Sequence, residues 1–230
     1  MNKANISKPN KFLRLLRQLQ RDIYGLDYYL ESKWRVKEKV LEEKWERIFT
    51  TLSKFGISNE DRKKWCNEIL IYQKQELALR KKVPPTQHSM EYFYYYKSCD
   101  VRLIRKLIYR ADPSLKKLIA PGDWTDFDYL TEVNDDILDL FEDLKVYNCN
   151  RFLFSLIQSG RNKTRQEYSS FISGIQNEMR HRLDSEKDEN QKWIFRETDL
   201  IAEDTQKLLE SRLQDIKMTK VRKAIINRKW

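Results

Sequence analysis

From Pro9 onward, apolar residues recur at spacings of three and four with charged residues between them, the mark of amphipathic helices. Phe12, Leu15, Leu16 and Leu19 form the first stripe, interleaved with Lys11, Arg14, Arg17 and Arg21. Past Gly25 a second stretch is predicted to run to about Phe55 on Leu30, Trp34, Val40, Leu41, Trp45, Ile48 and Leu52, and Gly56 ends it as a C-cap. Ser58, with Asp61 three residues on, opens a helix carrying Trp65, Ile69, Tyr72 and Leu79, which stops at Pro84-Pro85. Two shorter helices are predicted over 92–96 and 100–110, before Pro113. After the turn at Pro121-Gly122, Asp123 or Thr125 is placed to cap a helix reaching about residue 159, with a break expected near 148–150. Two more helices are predicted over about 162–183 and 187–216. Strand-like alternation, internal repeats and low-complexity linkers are absent.

This pattern predicts a single all-α domain over residues 1–215, a bundle of about seven to nine helices, followed by a basic tail over 216–230. Composition sharpens it. With 5 Gly and 5 Pro in 230 residues the chain has too few turn formers for a sandwich or barrel, and 40% hydrophobic with 35% charged residues suits a folded domain. Cys66, Cys99 and Cys149 are odd in number and lack CxxC spacing, which argues against a disulfide framework or a Cys-based zinc site and for a reducing compartment. His88 and His181 are too few for a His-rich metal site. No run approaches 18 consecutive apolar residues and the first 20 residues hold no apolar signal core, so a cytoplasmic protein is expected. Nucleophilic triads, Gly-rich phosphate loops and metalloprotease motifs are also missing.

One segment departs from the net charge of +10. Between residues 123 and 143 lie Asp123, Asp126, Asp128, Glu132, Asp135, Asp136, Asp139, Glu142 and Asp143, with no Lys or Arg. On a helix the acids from Asp128 onward fall in a sector about 120° wide, and Leu130, Val133, Ile137, Leu140, Phe141 and Leu144 take the opposite side. Like charges at i,i+3 and i,i+4 cost about 0.2–0.5 kcal/mol per pair, so such a stripe calls for positive charge from elsewhere. Basic side chains of neighbouring helices or divalent cations would supply it. Asp135-Asp136-Ile137-Leu138-Asp139 reads DDxxD, and Asp139-Leu140-Phe141-Glu142-Asp143 reads DxxED. Carboxylates so spaced point one way and suit hydrated Mg²⁺ shared with substrate phosphate oxygens.

The segment from Phe127 to Leu144 resembles the second aspartate-rich helix of class I isoprenoid synthases, closest to the squalene and phytoene synthase branch, and Arg151-Phe152-Leu153 is loosely similar to the Arg and apolar pair found after that helix in the family. The resemblance implies an all-helical fold around an apolar cavity, Mg²⁺ between two acidic walls, and a prenyl diphosphate that is ionised and then transferred or cyclised. Carried over residue by residue, it implies Asp135, Asp139 and Asp143 as metal ligands with Asp136 and Glu142 assisting, and Asp27 and Glu31 as a degenerate opposing wall. Arg102, Arg105, Arg161 and Arg165 are the expected diphosphate-binding cations, and Tyr92, Phe93, Tyr95 and Tyr96 the expected cavity lining, unless that aromatic tract simply fills core.

A different reading makes the chain a non-catalytic helical interaction protein whose acidic face docks a basic partner or its own tail. The basic termini, among them Lys217, Lys220, Arg222, Lys223, Arg228 and Lys229, suit an anionic membrane surface and peripheral attachment. Nucleic acid is a poor partner, because no binding motif accompanies them and the acidic stripe would repel a polyanion.

Overall fold

The computed structural model describes residues 9–146 and 148–226, and the outermost parts of both basic termini lie outside these described residues. Ten α-helices are present among them: α1 (Pro9–Ser32), α2 (Glu38–Ser53), α3 (Asn59–Ala78), α4 (Met90–Lys97), α5 (Cys99–Ala111), α6 (Thr125–Leu138), α7 (Leu140–Asp143), α8 (Arg151–Ser185), α9 (Glu189–Asp215) and α10 (Met218–Ile226). Single 3₁₀ turns at Pro113–Lys117 and Pro121–Trp124 join α5 to α6. The described residues contain no strand, and no helix is long and apolar enough to cross a membrane. All three cysteines are free and buried.

The helical boundaries follow the sequence signals in most places. Ser58 Oγ accepts from the Asp61 amide at 3.0 Å, and Ser89 Oγ accepts from the Tyr92 amide at 3.2 Å. Three expectations need correction. Gly25 does not separate two helices: the stripe Leu16, Leu19, Ile23, Leu26, Leu30 runs through it and is buried throughout, which outweighs the roughly 0.5–1 kcal/mol glycine costs a helix. The break comes at residues 33–37 instead, where the Arg80 guanidinium gathers the carbonyls of Leu30, Lys33 (3.0 Å) and Trp34 (3.3 Å) at the end of α1. Third, the break expected near 148–150 is present, with α8 starting at Arg151, but the helix is already interrupted at Asp139. The Asn150 side-chain amide donates to Asp136 O at 2.6 Å and Arg212 Nη2 donates to Leu138 O at 2.8 Å, so carbonyls that a continuous helix would use internally are held by side chains. Asp139 leaves helical geometry there (φ −87°, ψ 5°), and Gly160 (φ 75°, ψ 171°) puts a kink in α8 that a residue with a Cβ would strain.

Two apolar cores result. The smaller is built by α1, α2, α3 and α5 from Leu19, Leu30, Ile48, Leu52, Ile69 and Leu107. The larger packs α4, α6, α8 and α9 through Tyr94, Leu130, Ile137, Phe152, Tyr168 and Leu209, and Ile216 and Val221 bring α10 onto it. Between the two cores runs a polar seam. Helix α6 lies at its border, its apolar face in the larger core and much of its acidic face turned to α4 and α5.

Candidate functional site

The acidic stretch is sorted by helical phase. Asp128, Asp136 and Asp143 are buried and Glu132 keeps only 14% of its side-chain surface, whereas Asp135, Asp139 and Glu142 are exposed. Asp128, Glu132 and Asp136 meet positive charge from α4 and α5, one of the two solutions a like-charge stripe calls for. Arg105 grips Asp128 with both nitrogens at 2.7 and 2.8 Å and lies over the Trp124 ring. Lys97, at the end of α4, donates to Asp136 and stands 3.8 Å from Glu132. Asp136 also accepts from Tyr94 Oη (3.0 Å) and from the Arg151 amide at the start of α8 (2.8 Å), and Tyr94 is linked onward to Tyr168. Burial works against the Lys97 ammonium, but Asp136 and Glu132 together hold its pKa well above the ordinary lysine value.

The opposing wall named from the sequence lies across from the acidic stretch. Asn148 Nδ2 donates to Glu31 Oε1 of α1 at 2.8 Å and to Asp143 Oδ1 at 3.1 Å, so one amide joins the degenerate motif of α1 to the end of that stretch. Asn150 adds a bond to Asp143 Oδ2 at 2.7 Å while its own oxygen caps α8 through the Leu153 amide. Glu76 of α3 completes this side. It is fully buried, and its Oε1 accepts from Tyr72 Oη and from the Cys149 amide, both at 3.1 Å.

Burial raises several of these carboxyls against the charges of Lys97 and, at Glu76, of Arg80. Desolvation raises Glu31 to about 8, with the charges of Asp27, Glu76 and Asp143 adding to it. Glu132 rises to about 8, through burial with Asp100, Asp135 and Asp136 nearby and against the pull of Lys97. Glu76 rises to about 7, and Asp27 and Asp143 to about 6, burial leading in each case. The buried side-chain atoms left without a hydrogen-bond partner on this side include the acceptors Asp27 Oδ1, Glu76 Oε2 and Asn148 Oδ1, together with both polar atoms of the Gln75 amide. A pocket of about 200 Å³ opens onto the seam between Asp27, Asp100, Glu132 and Asp135, with Lys97 on its wall and Ile23, Leu26, Leu30 and Ile69 as its apolar side.

The other expected residues are dispersed. Arg102 and Arg105 share a second, larger cleft on the far half of α5. Arg161 donates to Ile216 O, and Arg165 pairs with Glu210 of α9 at 3.2 Å, both away from the acids. Phe93 is core, Tyr92 is exposed and stacks on His88, Tyr96 packs edge-on against Tyr92, and Tyr95 carries the Arg102 guanidinium on its face. The sequence pattern does not single out Lys97 or Glu76, and it marks Asn148 and Asn150 only as a helix break. A signal exists for Glu76, which falls between Tyr72 and Leu79 in the apolar stripe of α3, a position where an acid must be buried.

As placed, no group of three or more His, Cys, Asp or Glu side chains among the described residues could hold a metal ion. The donor set is nevertheless of the kind a hard cation takes: it consists of oxygens, among them the unpartnered Asp27 Oδ1 and Glu76 Oε2. No family model, curated protein or solved structure matches this chain.

Proposed function

We propose that this chain is a divergent class I isoprenoid synthase-like protein whose carboxylate seam takes Mg²⁺ together with a short prenyl diphosphate. The observation that carries the reading is the meeting of Glu31 and Asp143 on one amide, which joins two acidic walls about a hundred residues apart in sequence. Asp27, Glu31, Glu76 and Asp143 are the residues that would hold the ion, with Asp135 at the pocket rim. Bound Mg²⁺ supplies electrostatic stabilisation of a departing diphosphate. Lys97, kept charged by Asp136, gives the same wall a fixed cation to meet that diphosphate. Ile23, Leu26, Leu30 and Ile69 keep water from the chain, and a volume of about 200 Å³ restricts that chain to a short one.

The test is thermal unfolding with Mg²⁺ and dimethylallyl diphosphate, added separately and together. The expected result is a rise in Tm that needs both and is lost in Glu31→Gln/Asp143→Asn. No rise, or an equal rise in the variant, removes the reading. The interaction-protein reading draws on a different fact: much of the acidic face already docks on Lys97 and Arg105 of its own chain. It predicts no metal dependence at all.

A further inference from the structure

The cleft on the far half of α5 has the opposite chemistry. It encloses about 700 Å³ between α3, α5 and the turns at Pro113–Lys117 and Pro121–Trp124. Its two carboxylates are both engaged, Asp128 by Arg105 and Glu68 by Arg102. Lys106, Arg110 and Lys116 also line it, and among the described residues none of the three forms an ion pair. Lys106 and Arg110 lie over the Trp65 ring, at 4.9 and 5.7 Å from its centroid, and the Arg102 guanidinium lies over the Tyr95 ring at 3.2 Å, so the wall is made of cation-capped rings. Arg102 Nη1 is a buried donor without a partner. Desolvation holds the Lys106 pKa below the ordinary lysine value, with Lys64 and Arg102 adding to it against the pull of Glu68 and Asp61.

We propose that this cleft is a second ligand site, independent of the carboxylate seam, for an organic phosphate that carries a planar ring. The phosphate meets Lys106, Arg110 and Lys116, whose donors suit its oxygens, and the ring lies against the guanidinium plane that Arg102 lays on Tyr95. Unlike the seam, this site needs no divalent cation, because its own charge already matches the guest.

Calorimetric titration in EDTA, where the seam has no metal, tests this with three probes: pyrophosphate, ADP and geranyl diphosphate. All three should bind, with ADP tightest because it alone adds a ring to stack. Lys106→Gln/Arg110→Gln should weaken ADP by at least about tenfold, and the exposed Lys116→Gln, which cannot disturb the core, by a few-fold. Glu31→Gln/Asp143→Asn should leave ADP binding unchanged, which separates failure of this site from failure of the seam. Absence of binding in EDTA, equal affinity in the Lys106/Arg110 variant, or ADP no tighter than pyrophosphate or geranyl diphosphate overturns the proposal.

Discussion

The two polar regions beside α5 solve opposite problems. At its N-terminal end the seam buries several acids around one lysine, and its unsatisfied atoms include the acceptors Asp27 Oδ1, Glu76 Oε2 and Asn148 Oδ1. Along its other face the cleft engages both of its carboxylates, and among the described residues Lys106, Arg110 and Lys116 form no ion pair, although Arg110 donates to Gly56 O at 3.2 Å, with a donor unsatisfied at Arg102. Asp128 and Asp143 show the same contrast within one acidic stretch. The first is held by a two-pronged guanidinium, whereas the second receives amides and has its pKa raised to about 6. Where charge meets charge the structure is complete. Where burial dominates, as at Glu31, the carboxyl holds on to its proton.

The largest expected effect comes from removing the one buried ammonium of the seam. Lys97→Met leaves Asp136 and Glu132 uncompensated in the interior and should cost about 3–5 kcal/mol in urea unfolding, with Asp136→Asn in the same chain restoring part of it. A loss below about 1 kcal/mol would mean that the seam is wetter than its burial indicates. Arg105→Met comes next, at about 2–3 kcal/mol, because the pair with Asp128 lies nearer the surface.

Dependence on pH sharpens the comparison further. Asp27, Glu31, Glu76, Glu132 and Asp143 all have folded-state values above the ordinary carboxylate range, so the native state keeps protons that the unfolded chain has lost. Stability from these groups is therefore full below about pH 4.5 and lost as pH rises through about 6 to 8, by up to about 1.4 kcal/mol per pH unit for each group holding a proton. Glu31→Gln should flatten that fall and stabilise the protein at pH 8. A stability curve level from pH 6 to 8 would contradict the raised values. The smallest effect belongs to the outward acids: Asp139→Asn and Glu142→Gln should change stability by less than about 0.5 kcal/mol, and a cost approaching that of Asp136→Asn would undo the inward and outward division.

Much of this is legible along the chain. Scarce glycine and proline with persistent three-and-four spacing make the helical class plain, and the unrelieved acids from Asp123 to Asp143 announce that something positive must face them. The partner of most of the buried ones is hidden, because Lys97 comes after an aromatic tract and looks like an ordinary helix-end lysine until α4 is laid against α6. The end of α1 is hidden for a similar reason. No local signal stops the helix at Ser32; Arg80, nearly fifty residues on, supplies the cap. Asn150 likewise breaks α6 from a distance of fourteen residues while opening α8. Local periodicity reads local structure, and these features are long-range hydrogen bonds. Asp27 and Glu31 are legible only because they share a face of one helix.

The most direct measurement is a Mn²⁺ titration at pH 8 followed by electron paramagnetic resonance, with Mn²⁺ replacing Mg²⁺ and dimethylallyl diphosphate present, on the wild-type chain and on Glu31→Gln/Asp143→Asn. The account predicts loss of the free-ion signal in the wild type beyond what the diphosphate alone removes, and no such excess in the variant. Equal signals in both would show that these carboxylates hold protons rather than metal.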